Sequence, residues 1–235
     1  MIPALRSTTR RVALFSLCIA LMLVLGLLDR AVPLSALLSG GVPGLKLGLA
    51  NTVLLYAVYL LDWKASVLLM LAKVMLSGFL FGSVSAILYS LSGGVLSLAV
   101  MLAARKKPGF SAMLVCIAAF FSDAFLLSRN PAPGGQMLLC VWLIGLAGLT
   151  ALGFFLFIRL HPDWGIIGVS MAGAVAHNVG QVLMAARVLR TPQLLTVYLP
   201  VLIGLGAAVG LLTGMVAQRV LHALRKLPEG GFFPR

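Results

Sequence analysis

Eight long apolar runs, bounded by charges, prolines and glycines, dominate this 235-residue chain: 12–28, 47–61, 65–82, 85–104, 110–128, 137–158, 165–186 and 197–218. A helix that crosses a bilayer needs roughly 20 mostly apolar residues. Only helices and closed barrels can cross, because the hydrocarbon offers no water to the backbone polar groups. The runs are continuously apolar, without the alternation of a transmembrane strand. An all-α, polytopic membrane helix bundle of eight spans follows. The runs at 47–61 and 65–82 are short or interrupted, so their ends are set only to within several residues. Composition agrees: 61% of residues are hydrophobic and 10% charged, with a mean hydropathy of +1.11. A soluble domain is about a quarter charged, so a soluble enzyme, a disordered tail and a disulfide-built module are all excluded. The whole chain, 1–235, reads as one integral membrane domain.

The charges give this bundle a direction. Lys and Arg total 18 against five acids, a formal net charge of +13. The cations sit at the ends of apolar runs, with no basic stripe interleaved with aromatics, so they read as membrane-boundary charges rather than a nucleic-acid surface. With the N-terminus inside, Arg6, Arg10, Arg11, Lys64, Arg105, Lys106, Lys107, Arg159, Arg219, Arg225, Lys226 and Arg235 face the cytoplasm. Arg30, Lys46, Arg129, Arg187 and Arg190 face outward, and Lys73 falls within a span. The positive-inside rule then predicts a multi-pass protein of the cytoplasmic (inner) membrane with both termini inside. Trp63 and Trp164, each beside an Asp at an inner boundary, fit interfacial anchors. The first run follows Arg6, Arg10 and Arg11 like a signal peptide, but no small-residue cleavage site precedes Asp29-Arg30, which favours an uncleaved span. Residues 31–46 are too broken by Pro and Gly to span and too apolar for a solvated loop. They read as an outer loop that dips back over the bundle, or as a plain interfacial loop.

Polar residues are costly inside a span and face its interior or a wet cavity. Lys46 sits at the outer mouth of 47–61, with Asn51 about one turn deeper, while Lys73 lies near mid-membrane in 65–82. Ser85, Tyr89 and Ser92 occupy the outer half of 85–104. At 1.5 Å per residue, His177 lies roughly 18 Å and Gln181 roughly 24 Å from the inner end of 165–186. Gly173, His177 and Gln181 recur every fourth residue on one face, with Asn178 alongside. Each alone reads as interhelical hydrogen-bond glue. Their convergence at one depth predicts an outward-facing binding cavity lined by Lys46, Asn51, Lys73, Tyr89, His177, Asn178 and Gln181. Its lysines favour an anionic group on the ligand.

Other chemistry lacks its residues. Asp29, Asp62, Asp123, Asp163 and Glu229 are scattered, so no neighbouring carboxylates can hold a diphosphate through magnesium. Asp123, near Arg129, reads as a local pair at the headgroups. His161 and His222 have no ligand spacing, and no HExxH, GxxxxGK[ST] or GxGxxG occurs. Cys18, Cys116 and Cys140 lie in apolar runs and read as small packing residues. No catalytic residue, metal or cofactor is expected, and the chain is not read as an enzyme.

KLGLANTVLLYAVYLL (46–61), LFG (80–82), SLSGGVLSLAVM (90–101), GVSMAGAVAHNVGQ (168–181) and YLP (198–200) with its glycine-rich tail resemble the Gx transporter family. Members of that family are also labelled heptaprenyl diphosphate synthase component I. The family is in turn similar to the substrate-binding S components of energy-coupling-factor transporters, six-helix proteins that capture micronutrients. The resemblance covers roughly 10–104 and 160–220, and its motifs fall on Lys46, Asn51, His177, Asn178 and Gln181. It implies a six-helix core at 12–104 and 165–218, with about 105–159 as an inserted helical hairpin. The AxxxA docking motif of S components is reduced to Ser16-x-x-x-Ala20. The expected function is a membrane substrate-binding or transport component for a small anionic or amphipathic ligand, set in lipid and energised by a partner subunit. The alternative is a non-catalytic membrane subunit, partnered by a synthase, in isoprenoid (heptaprenyl diphosphate) or quinone biosynthesis.

Overall fold

The computed structural model describes residues 8–31, 49–81, 84–106, 165–191 and 193–225. Six α-helices account for nearly all of them: α1 (Thr8–Ala31), α2 (Asn51–Leu60), α3 (Trp63–Phe81), α4 (Val84–Lys106), α5 (Gly165–Val188) and α6 (Gln193–Arg225). Four carry stretches long and apolar enough to cross a membrane: Val12–Asp29, Ile87–Lys106, Gly165–Val188 and Tyr198–Leu224. The expected spans at 110–128 and 137–158 lie outside the described residues. So do the hairpin beyond Lys106, the 31–46 loop after Ala31, Lys46, Asp123, Arg129, His161, Trp164, Cys116 and Cys140.

One expectation changes. The sequence predicts a span over 47–61, but its helix, α2, has ten residues. At 1.5 Å per residue it rises about 15 Å, half a hydrocarbon core. Leu61 is extended (φ −107, ψ 174) and ends α2. Ser66 then sends both its N–H and its Oγ to the Asp62 carbonyl, at 3.0 and 3.1 Å, which fastens the first turn of α3. A two-residue link thus folds α2 and α3 into a tight antiparallel pair. Trp63, 61% exposed at the start of α3, has the Lys64 ammonium 5.8 Å from its ring centroid, as an interfacial anchor would.

α5 is the central helix: 16 of its 24 residues are buried, and it packs most extensively against α6 and α4. Small residues make this packing close. Along α6, Gly206, Gly210 and Gly214 recur every fourth residue and so share one face. A Cβ on Gly210 would lie 2.6 Å from the Met171 Cα, and one on Gly214 2.9 Å from the Ile167 Cα. On the other side, a Cβ on Gly180 would lie 2.8 Å from the Gly93 Cα of α4. Without a hydrophobic drive between helices in lipid, this backbone approach is what dispersion and polar contacts can exploit. Ser92 Oγ donates to the Gly180 carbonyl at 2.9 Å, and Ser170 and Thr213 share a hydroxyl contact at 3.1 Å.

α1 adds Leu14, Cys18 and Met22 to the main core, one stripe at four-residue spacing, and turns Leu17, Leu21, Val24 and Leu28 outward. Leu68, Met75 and Phe79 of α3 and Leu212, Met215, Val216 and Val220 of α6 are likewise exposed. Such a surface suits lipid as solvent. At the far end of α4, Arg105 donates to the Val58 carbonyl of α2 and lies 5.3 Å from the Tyr59 ring centroid. It therefore satisfies a carbonyl of the last turn of α2 and places the C-termini of α2 and α4 on one side.

Candidate functional site

The polar residues singled out from the sequence form two groups. In the first, Asn51 opens α2 and Lys73 lies ten residues into α3. Both are about 15 Å from the α2–α3 link. Lys73 Nζ donates to Asn51 Oδ1 at 3.5 Å. Asn51 is 3% exposed and its Nδ2 makes no hydrogen bond among the described residues.

The second group sits where α5 meets α4 and α6. Gln181 Nε2 contacts His177 Nε2 one turn away. An amide nitrogen only donates, so His177 accepts through Nε2, and a neutral ring then carries its proton on Nδ1. The ring lies against the α4 backbone: a Cβ on Gly93 would be 2.8 Å from His177 Nδ1. Asn178 turns to the opposite helix and donates Nδ2 to the Leu202 carbonyl at 2.6 Å, while its Oδ1 makes no hydrogen bond among the described residues. Gly206 leaves room for this amide, since a Cβ there would lie 2.7 Å from Nδ2. His177, Asn178 and Gln181 are all buried, so the helices close over them.

Tyr89 is placed differently. It packs in an apolar cluster with Val182, Ala185, Leu194 and Leu202. Lys46 lies outside the described residues. α2, which carries Asn51, also packs against α4, α5 and α6.

Some polar positions were not singled out. Ser97 of α4 is fully buried with its Oγ making no hydrogen bond among the described residues, and the Ser170–Thr213 contact joins α5 to α6. Asp29 is 4% exposed near the end of α1. Serine and threonine are common in spans and bond their own helix, as Thr213 does to the Val209 carbonyl at 2.8 Å. Their type alone therefore carried no signal. Among the described residues no group of three or more His, Cys, Asp or Glu could hold a metal ion.

No curated protein and no solved structure matches the chain. A family does, the one described as heptaprenyl diphosphate synthase component I, over residues 17–127 and 132–220. The two blocks take in most of 105–159, so the segment that the resemblance left without a family counterpart falls largely within the match. With the helical, membrane-type architecture and the matched residues spanning most of its length, the chain belongs to the heptaprenyl diphosphate synthase component I family.

Proposed function

We propose that this chain is a non-catalytic, membrane-embedded binding component that captures a small anionic or amphipathic molecule from the outer side of the cytoplasmic membrane. In this it would act as the Gx transporter family and the S components do, with energy from a partner subunit and both termini inside. The reading is carried by Asn51 and Asn178, whose amide atoms Nδ2 and Oδ1 make no hydrogen bond among the described residues although both side chains are buried in the bundle. An unbonded polar atom in such a place costs about 1–3 kcal/mol, and a ligand that supplies its partner recovers that cost. Lys46, Asn51, Lys73, Tyr89, His177, Asn178 and Gln181 are the proposed binding residues, and 110–128 and 137–158 the two remaining spans. Since the second group is buried, ligand entry requires α4, α5 and α6 to part. Co-purification and thermal-shift screening of detergent-solubilised protein test the reading. Stabilisation that survives His177→Ala combined with Asn51→Ala would sink the site assignment.

The family description favours a second reading, a non-catalytic membrane subunit of a heptaprenyl diphosphate synthase or a quinone pathway. The isolation of the five acids means that a partner would supply the diphosphate chemistry. Retention of a soluble, aspartate-rich prenyl synthase on the tagged protein, with no ligand uptake into cells, would favour it over the first.

A further inference from the structure

α2, at ten residues, has half the length of a membrane crossing. Its N-terminus stands about 15 Å above the α2–α3 link, near the middle of a hydrocarbon core roughly 30 Å thick. A helix start carries about half a positive charge, and its first N–H groups have no acceptor within the helix. Among the described residues no side chain caps this one: the N-cap residue is Ala50, in αR conformation (φ −62, ψ −17). Thr52 N–H is turned back to the Leu49 carbonyl at 3.0 Å.

Two side chains bring further donors to the same point. Lys73, from the neighbouring helix, reaches Asn51 Oδ1 at 3.5 Å. An ammonium can only donate, so Oδ1 is the atom that faces it, and Nδ2 is left with two N–H groups. That nitrogen is buried and makes no hydrogen bond among the described residues, on a side chain 3% exposed. The positive end of a half-length helix, an ammonium and an unbonded amide therefore meet at one depth. Half-helix N-termini at mid-membrane receive acidic groups in transporters for this physical reason.

Resting on the binding reading above, we propose that the α2 N-terminus, Asn51 and Lys73 form the subsite for the acidic end of the ligand. A carboxylate or phosphate oxygen accepts from Asn51 Nδ2 and Lys73 Nζ and lies against the positive end of α2. The arrangement selects for head-group charge and leaves the rest of the ligand to other residues.

The test compares thermal unfolding of the full chain in neutral detergent with octanoate, octyl phosphate, octylammonium and octanol, which share one tail. The two anions are expected to stabilise it and the other two are not, a comparison that needs no variant. Lys73→Gln and Asn51→Leu should each weaken the anions about tenfold or more, while Lys73→Arg retains most of the effect. In nanodiscs without soluble probe, stabilisation by phosphatidylglycerol over phosphatidylcholine that Lys73→Gln removes would support the subsite with a lipid as its source. Equal stabilisation by all four head groups overturns the subsite. So does an anion effect that both variants keep and His177→Ala abolishes, and either result leaves the binding reading standing. No stabilisation by any probe or lipid overturns both.

Discussion

Asn178 of α5 donates to the Leu202 carbonyl of α6 at 2.6 Å, two residues beyond Pro200. Pro200 has no N–H to offer the carbonyl one turn back, so α6 is a helix with a missing rung beside this contact. The side-chain bond ties the weakened stretch to the central helix. Asn178→Leu should lower stability by about 1 kcal/mol, the scale of interhelical hydrogen bonds in membranes. Gly206→Ala, which brings a methyl against the same amide, should do comparable damage by displacing it. Thermal unfolding in detergent measures both.

The glycines divide into two classes. Gly93→Ala and Gly180→Ala would each press a methyl into backbone of the facing helix and should cost about 1–3 kcal/mol. At Gly204 and Gly26 a Cβ meets nothing within 4 Å. Alanine there should be neutral or stabilise by up to about 1 kcal/mol through helix propensity. Opposite signs for the two classes in one unfolding assay would check the α4–α5 crossing.

Arg105 holds the end of α2 through the Val58 carbonyl and the Tyr59 ring. Arg105→Ala should destabilise the protein by about 1–3 kcal/mol, because a charged donor is lost from a helix end. Arg105→Lys should recover only part, since a point charge lacks the planar fork that both bonds and stacks. Faster amide exchange confined to the last turn of α2 would show that this end has frayed.

Sidedness can be read by labelling. In a cysteine-free background, Lys64→Cys, Lys106→Cys and Arg219→Cys should react with a membrane-impermeant maleimide only after the membrane is opened. Arg187→Cys should react in intact cells. All four parent residues are exposed, so the reagent has access. The reverse pattern would invert the proposed orientation.

Much of the helical layout was legible because membrane spans are apolar on every side. The runs at 85–104 and 165–186 became α4 and α5 within two residues at each end. His177 and Gln181 fall within α5, inside the run that hydropathy marks out. Their mutual contact follows from a four-residue spacing. By contrast, the hydroxyl of Tyr89 marked it as polar at the depth of Ser92, whereas the packing sets its ring among Val182, Leu194 and Leu202. A side chain with both an apolar body and a polar tip does not announce which of the two is packed.

What the sequence determined by itself was a helical chain apolar enough to cross a membrane, with polar groups at set positions along its helices and a charge bias along the chain. Those properties depend on hydropathy and on a constant rise per residue, both of which are local. The tertiary structure decided that α2 has only ten residues and that Lys73 meets its first residue. It also decided that Gly93 and Gly180 bring two backbones together around His177. These are pairings between segments far apart in the chain. Uniformly apolar faces leave open which side of a helix turns inward, and that is settled only when small residues and polar partners on different helices meet.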